Sequence, residues 1–285
     1  MKLVSPISPL LARRVRRLMT ADDGRRTSRF GMSRREILLG LVAGGALPLS
    51  GCDLDSSSPT VLSILDKAEA LTQRAQRALL SPRTALAPEY PQSAISAYFK
   101  PNGTSDPDDA DYVALRDNNF VDWKLEIGGL VERPMKLSLA DLRALPSRSQ
   151  ITRHDCVEGW SCIGQWKGAQ LSAIIDEAGL KPQARYLAFF CADTLEQTLD
   201  NTGRYYETID FVDALHPQTI LAYEMNYAPL KVEHGAPLRL RVERQLGYKM
   251  AKYVMRIEAI DGYASIARGR GGFWEDRGYE WYAGI

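Results

Sequence analysis

Residues 153–161 read Arg153-His154-Asp155-Cys156-Val157-Glu158-Gly159-Trp160-Ser161, and the fold and chemistry of the chain turn on this stretch. An isolated cysteine is most often a small buried hydrophobe. Cys156 instead sits among Arg153, His154, Asp155 and Glu158, which is no apolar setting. Cationic neighbours lower a thiol pKa and favour the thiolate, the form that binds metals or attacks electrophiles. Spacing alone leaves three chemistries open: a nucleophilic cysteine, a His154/Cys156 copper or zinc site, or a single thiolate ligand to a cofactor.

Composition narrows the setting. The 285 residues are 45% hydrophobic and 25% charged, the balance of a soluble globular protein of one or two domains. A net charge of +1 gives no global field toward nucleic acid or an acidic membrane. Four cysteines in so long a chain suggest no disulfide framework. Arg268-Gly269-Arg270-Gly271-Gly272 is too short a run to indicate nucleic acid. No Gly-x-Gly-x-x-Gly lies between a strand and a helix, so a nicotinamide site is unsupported.

Residues 1–52 read as an address. Arg34-Arg35 precedes an apolar run over 37–49 that Gly40, Gly44, Gly45 and Pro48 interrupt. That run is shorter than the ~20 apolar residues a membrane-spanning helix needs, and its basic flank suits an export signal. The arginine pair resembles the twin-arginine type, which carries chains already folded. Leu49-Ser50-Gly51-Cys52 resembles a bacterial lipobox, and implies a lipid on Cys52.

Residues 53–111 predict a polar tether, a helix and an irregular arm. Ser58-Pro59 offers an N-cap and a proline at the first helical position. Val61, Ile64, Leu65, Ala68, Leu71, Ala75 and Leu79 then recur at helical spacing, predicting a helix over 60–80 whose apolar stripe lies against the domain. Pro, Ser, Gly and Asp dominate 82–111 and predict the arm. Beyond it, 123–127 alternates apolar with charged residues, and 186–190, 219–223, 238–242 and 253–257 also read as strands. Ser138 with Asp141 predicts a capping box, and Leu171, Ile174, Ile175 and Ala178 a helical face closed by Gly179. Strands interleaved with short helices predict a mixed α+β fold without regular βαβ repetition.

Cys-Val-Glu-Gly-Trp-Ser at 156–161 resembles the metal-ligand loop of the molybdenum-dependent methionine-sulfoxide reductases, a branch of the sulfite-oxidase superfamily. Three further segments resemble that family in its own order: Asn118-Asn119-Phe120-Val121-Asp122, His234-Gly235-Ala236-Pro237-Leu238-Arg239-Leu240, and Gly247-Tyr248-Lys249-Met250-Ala251-Lys252. The resemblance covers about 112–260 and implies a β-rich, sulfite-oxidase-type molybdopterin-binding domain over 112–285. It implies Cys156 as the protein's ligand to molybdenum. It also implies that Asn118, Val121, Asp122, Cys191, His234, Arg239, Met250, Ala251 and Lys252 touch the molybdopterin. Cys191 stands where the family has threonine and His234 where it has asparagine. The chemistry agrees: a soft thiolate suits molybdenum, and Arg239 with Lys252 suits the cofactor's phosphate.

Sulfite oxidases carry arginines just after the ligand cysteine, whereas Val157, Glu158, Gly159 and Trp160 stand there in this chain. A carboxylate so close to the ligand disfavours sulfite and favours a neutral S-oxide or N-oxide. The resemblance therefore implies oxygen-atom transfer in the direction of reduction in the periplasm, with Glu158 expected to deliver protons. Electrons are expected from a separate membrane haem or quinol-linked subunit, since the chain shows no haem or iron–sulfur motif. Two alternatives stay open at this stage: a sulfite dehydrogenase, and a non-catalytic, lipid-tethered binding or electron-relay protein.

Overall fold

A computed structural model describes residues 59–79, 85–200 and 202–285. The twin-arginine pair, the lipobox and Cys52 lie outside the described residues. The chain separates into two units, Met1–Ala70 and Leu71–Ile285, and the second holds every described strand. Among the described residues, no helix is long and apolar enough to cross a membrane.

Helix α1 (Pro59–Leu79) begins at the predicted proline. In its last turns, however, Leu71 and Ala75 of the expected stripe face solvent. The contacts come from polar neighbours: Arg77 reaches Asp210 at 2.7 Å, and Gln76 accepts from the Tyr282 hydroxyl at 2.8 Å. Among the described side chains of this end, ion pairing and hydrogen bonding make the contacts.

A short helix α2 (Ala110–Asp117) leads into β1 (Lys124–Gly129) and β2 (Met135–Ser138). Helix α3 (Leu139–Ala144) starts with the predicted capping box, Ser138 and Asp141 each satisfying the other's backbone N–H. The long hairpin β3 (Ser147–Asp155) and β4 (Ser161–Gln170) follows, then α4 (Leu171–Ala178), which ends at Gly179 with φ 67°. Next come β5 (Tyr186–Thr194), β6 (Arg204–Asp210), α5 (Phe211–Ala214), β7 (Ile220–Met225), β8 (Ala228–Pro229), β9 (Arg239–Arg241) and β10 (Val254–Ile260).

These strands form two sheets. The first runs β2-β1-β10-β5-β6, with β1 parallel to β10 and the other neighbours antiparallel. The second runs β3-β4-β7-β8, with β9 also paired to β7. The main core joins Leu125, Phe189 and Ile257 of the first sheet to Leu221 and Leu240 of the second, with Leu171, Ile174 and Ile175 of α4. The α+β fold, mixed and β-rich, is the one the sequence predicts.

Candidate active site

The site begins at the tip of the β3–β4 hairpin. Pairing runs unbroken from Ser147 opposite Ala169 to Asp155 opposite Ser161. The turn between is closed by Cys156 N–H to Trp160 C=O at 2.9 Å and Gly159 N–H to Cys156 C=O at 3.0 Å, with Gly159 at φ 83°. That left-handed conformation favours glycine. Cys156 thus sits half-buried at a hairpin tip, held by backbone bonds that do not involve its side chain. The neighbouring cation does not act as expected, because Arg153 is taken up by Asp155 at 2.9 Å. Burial instead raises the Cys156 thiol pKa in the chain without metal.

Cys156 opens into a cavity of about 220 Å³ whose wall includes Asp193, Met250 and Lys252. Tyr205, Tyr248, Trp274 and Tyr279 make its aromatic side, and residues 102–104 of the arm close another. Arg239 is fully buried, yet its partners are neutral: it donates to His234 C=O at 3.1 Å and Asn102 Oδ1 at 3.3 Å. Its Nε has no partner. Desolvation, with Arg241 alongside, pulls the guanidinium down to about 9. Lys252 is also buried, donates to Thr104 C=O and to Glu233 C=O, and is pulled down to about 7 by desolvation and by Arg239. Two buried cations whose donors meet carbonyl and amide oxygens form an anion site, since an uncompensated buried charge is costly.

Met250 and Lys252 therefore line the cavity, and Ala251 is buried between them, its carbonyl accepting from Leu240 N–H at 2.8 Å. His234 is buried at the foot of Arg239 with an unpartnered Nδ1, and burial lowers it to about 4, so it is neutral. Cys191 is fully buried in the main core, opposite Val254, and desolvation pushes its thiol well up. Asn118 caps α2 and donates to Asp122 at 2.8 Å, while its Oδ1 is buried without a partner. Val121 is 78% exposed, unusual for an apolar side chain, beside two non-glycine residues with positive φ, Asn119 and Phe120. Asn118, Val121 and Asp122 do not line the cavity with Cys156. Glu158 does, but it accepts from Trp160 Nε1 at 2.9 Å and pairs with Lys100 at 3.2 Å. Those contacts hold its carboxylate pKa below the ordinary value, led by the indole hydrogen bond.

The sequence offered His154 only as a metal partner of Cys156 and gave no sign of Arg241, Glu243 or Asp193 at the site. His154 is fully buried, and its Nδ1 accepts from Arg241 Nη1 at 3.0 Å, with Arg241 held by Glu243 at 2.7 Å. Its Nε2 faces Gly247, where a Cβ would stand 2.5 Å away. His154 Nδ1 is thus engaged by Arg241 rather than by a metal shared with Cys156. Among the described residues, no group of three His, Cys, Asp or Glu side chains is placed to hold a metal ion. Asp193, 3% exposed with an unpartnered Oδ1, is raised to about 6 by desolvation. Hydropathy alone gives no signal for such inward polar groups.

One thiol at the cavity edge, next to two buried cations whose hydrogen-bond partners are neutral oxygens, suits a metal carried by an anionic organic cofactor. The family model described as oxidoreductase molybdopterin binding domain matches residues 112–265. The chain belongs to that family of molybdopterin oxidoreductases. It is 35% identical over 244 residues, covering 86% of this chain and 84% of the relative, to a putative protein-methionine-sulfoxide reductase subunit YedZ1 from Azospira oryzae. It is 35% identical over 156 residues to the protein-methionine-sulfoxide reductase catalytic subunit MsrP of Campylobacter jejuni, covering 51% and 52%. With MsrP of Xanthomonas axonopodis it shares 33% over 148 residues, covering 49% and 45%, so the chain spans about half the length of these catalytic subunits. Among solved structures, the sulfane dehydrogenase SoxCD of Paracoccus pantotrophus matches at TM-score 0.43 and 25% identity, over 49% of this chain and 38% of that one.

Proposed function

We propose that this chain reduces neutral S-oxides of the methionine-sulfoxide type, or N-oxides, with a molybdenum–molybdopterin cofactor. The observation that supports this most is the rim of the cavity. Val157, Leu195, Trp274 and Tyr279 are apolar or aromatic, and Glu158 is cancelled by Lys100. A neutral, polarisable substrate loses little on entering such a rim, whereas a doubly charged anion loses hydration there and finds the rim's lysine already paired.

Cys156 would bind the metal, Arg239 and Lys252 the phosphate, and His234, Met250 and Ala251 the cofactor between them. Asn118, Val121, Asp122 and Cys191 remain proposed contacts of the same group. When bound, the cofactor supplies the two-electron oxygen-atom transfer chemistry. In balance, a sulfoxide takes up two electrons and two protons and gives a sulfide and water. The chain's residues orient the substrate against Trp274 and Tyr279 and set the charge at the rim through Glu158 and Lys100. Glu158, held ionised, is a poor proton donor near neutrality, so its catalytic role is selection rather than proton delivery. Electrons would come from a separate membrane haem or quinol-linked subunit. Export would follow the twin-arginine route to the periplasm, with Cys52 lipidated.

The test is metal and pterin analysis of periplasmic protein, with oxide turnover under a reduced dye compared with sulfite-dependent dye reduction. Efficient sulfite oxidation without reduction of methionine sulfoxide, dimethyl sulfoxide or trimethylamine N-oxide would overturn the reading. Arg34→Lys with Arg35→Lys should stop export of active protein, and Cys52→Ala should release it from membranes.

A further inference from the structure

Asparagine followed by glycine occurs once in the arm, at Asn102-Gly103, and both residues stand at the cavity wall. Asn102 is half-buried, and its Oδ1 accepts from Arg239 Nη2 at 3.3 Å. Gly103 is exposed at φ +58°, with nothing within 4 Å of where a Cβ would stand. Among the described residues, neither the Gly103 N–H nor the Asn102 side-chain nitrogen donates to a protein group. The flanks are held: Phe99 packs edge-on to Trp166 at 5.4 Å, and Thr104 C=O accepts from the Tyr253 hydroxyl at 2.8 Å. Asn102 is thus kept against Arg239, while the glycine after it retains the freedom that a missing Cβ allows.

These are the parts of an intramolecular reaction. The backbone nitrogen of Gly103 attacks Cγ of Asn102, and the new N–C bond closes a five-membered imide. The Cγ–Nδ2 bond breaks, and ammonia leaves with the proton that the backbone nitrogen gives up. Water then opens the ring to an aspartate or an isoaspartate. In balance, one amide and one water give one carboxylic acid and one ammonia, with no oxidation or reduction. Negative charge develops on Oδ1 during the attack, and Arg239 already donates to that atom. A donor placed where charge develops lowers the barrier.

We propose that Asn102-Gly103 is a deamidation site promoted by the Arg239 guanidinium, and that its conversion places a carboxylate in the anion site. Arg239 donates only to neutral oxygens, and its Nε has no partner. A carboxylate at position 102 supplies the missing counter-charge, so the cation that promotes the reaction also stabilises its product. A chain that waits without cofactor closes its own anion site. A bound phosphate draws on Arg239 and slows the conversion. The effect on loading rests on the reading that the cavity takes molybdopterin, whereas the conversion itself does not.

The experiment incubates metal-free and molybdenum-loaded protein in mildly alkaline buffer and follows residue 102 by peptide mass spectrometry. A gain of one mass unit should appear there in the metal-free chain, and at least about three-fold more slowly in loaded protein. Metal-free Arg239→Met should convert about ten-fold more slowly than wild type, the factor one charge-assisted hydrogen bond implies. Asn102→Asp, made directly, should melt higher than wild type without metal and carry about ten-fold less molybdenum. A metal-free chain that keeps its asparagine, while an unfolded peptide of the same sequence converts, would overturn the site. Conversion of Arg239→Met at the wild-type rate would remove Arg239 as the promoter. Full molybdenum content in Asn102→Asp would overturn the block on loading. Wild type purified without molybdenum or pterin would overturn the cofactor reading and leave the mass gain standing.

Discussion

Lys100 Nζ lies 3.2 Å from Glu158 Oε2, and Trp160 donates its indole N–H to the same oxygen. The carboxylate two positions after Cys156 is thus part of a neutral pair at a half-exposed rim. Removing one partner unmasks the other. Lys100→Ala should weaken inhibition of oxide turnover by sulfite, and Glu158→Gln should strengthen it, each by about three- to ten-fold in a partly solvated site. Oxide turnover of Glu158→Gln near neutrality should stay within about three-fold of wild type. A loss of ~100-fold would restore Glu158 as the proton donor.

Arg239 is a buried cation that the chain alone does not compensate. Arg239→Met should therefore abolish cofactor uptake while stabilising the cofactor-free chain. Replacing a buried ion by an apolar residue of similar size is often neutral or stabilising by about 1–4 kcal/mol. For a unit of this size each kcal/mol is roughly 2–4 °C in melting temperature. Calorimetry of metal-free protein with molybdenum assay gives both readouts, and a lower melting temperature in Arg239→Met would contradict the account.

Lys252 makes a prediction about pH. Burial and Arg239 pull it down to about 7 in the folded chain from 10.5. Between these values the unfolded chain holds a proton that the folded chain has released. The unfolded state binds more protons, so stability rises with pH across that window. Cofactor-free protein should melt higher at pH 8.5 than at pH 7, and Lys252→Met should flatten the slope. A bound anion raises the lysine's pKa, so the loaded enzyme should show a smaller slope than the free chain.

Cys156 projects from a turn closed by backbone bonds, so Cys156→Ser should leave the fold and melting behaviour of the metal-free chain unchanged. Hydroxyl is a harder, far less acidic ligand than thiol. Molybdenum retention and turnover should fall at least about ten-fold. Wild-type turnover in the serine variant would remove Cys156 as the ligand.

The fold was legible where hydrophobic periodicity was. The α4 face, the capping box at Ser138 and the strands β5, β7, β9 and β10 have both ends within four residues of their predicted places. The hairpin that carries Cys156 was not legible. Every second residue of β3 toward the interior is polar, with Gln150, Thr152 and His154 all buried. Hydropathy therefore shows no alternation. β4 carries Gly164 and Gly168, which lower strand propensity. Gly168 is needed because a Cβ there would collide with Leu221 C=O. The inward polar residues belong to the Arg241–Glu243–His154 network, whose partners lie far apart in sequence. The two cations were legible in their motifs, but not the arm's contact with them, because Lys252 and Tyr253 meet it at the Thr104 carbonyl, a group that every residue carries.

Lys249 lies between Glu207 and Glu275, 2.6 Å from Glu275 Oε1, with all three side chains at most 2% exposed. Two buried carboxylates face one ammonium, so burial and Glu275 push the Glu207 carboxyl well above its usual range. Both carboxylates turn their Oε1 atoms to the one ammonium, and neither Oε2 has a hydrogen-bond partner. It joins the turn at Gly247–Lys249 to the C-terminal segment that puts Trp274 and Tyr279 on the cavity wall. Glu207→Gln keeps an acceptor for Lys249, removes one of two buried carboxylates and should cost less than about 1 kcal/mol. Lys249→Met leaves both carboxylates without a cation and should cost about 3–5 kcal/mol, the range for breaking a buried pair. It should also raise the KM for oxides by loosening Trp274. Chemical denaturation of both variants separates the two cases. Equal stabilities would mean that the lysine does not hold the tail.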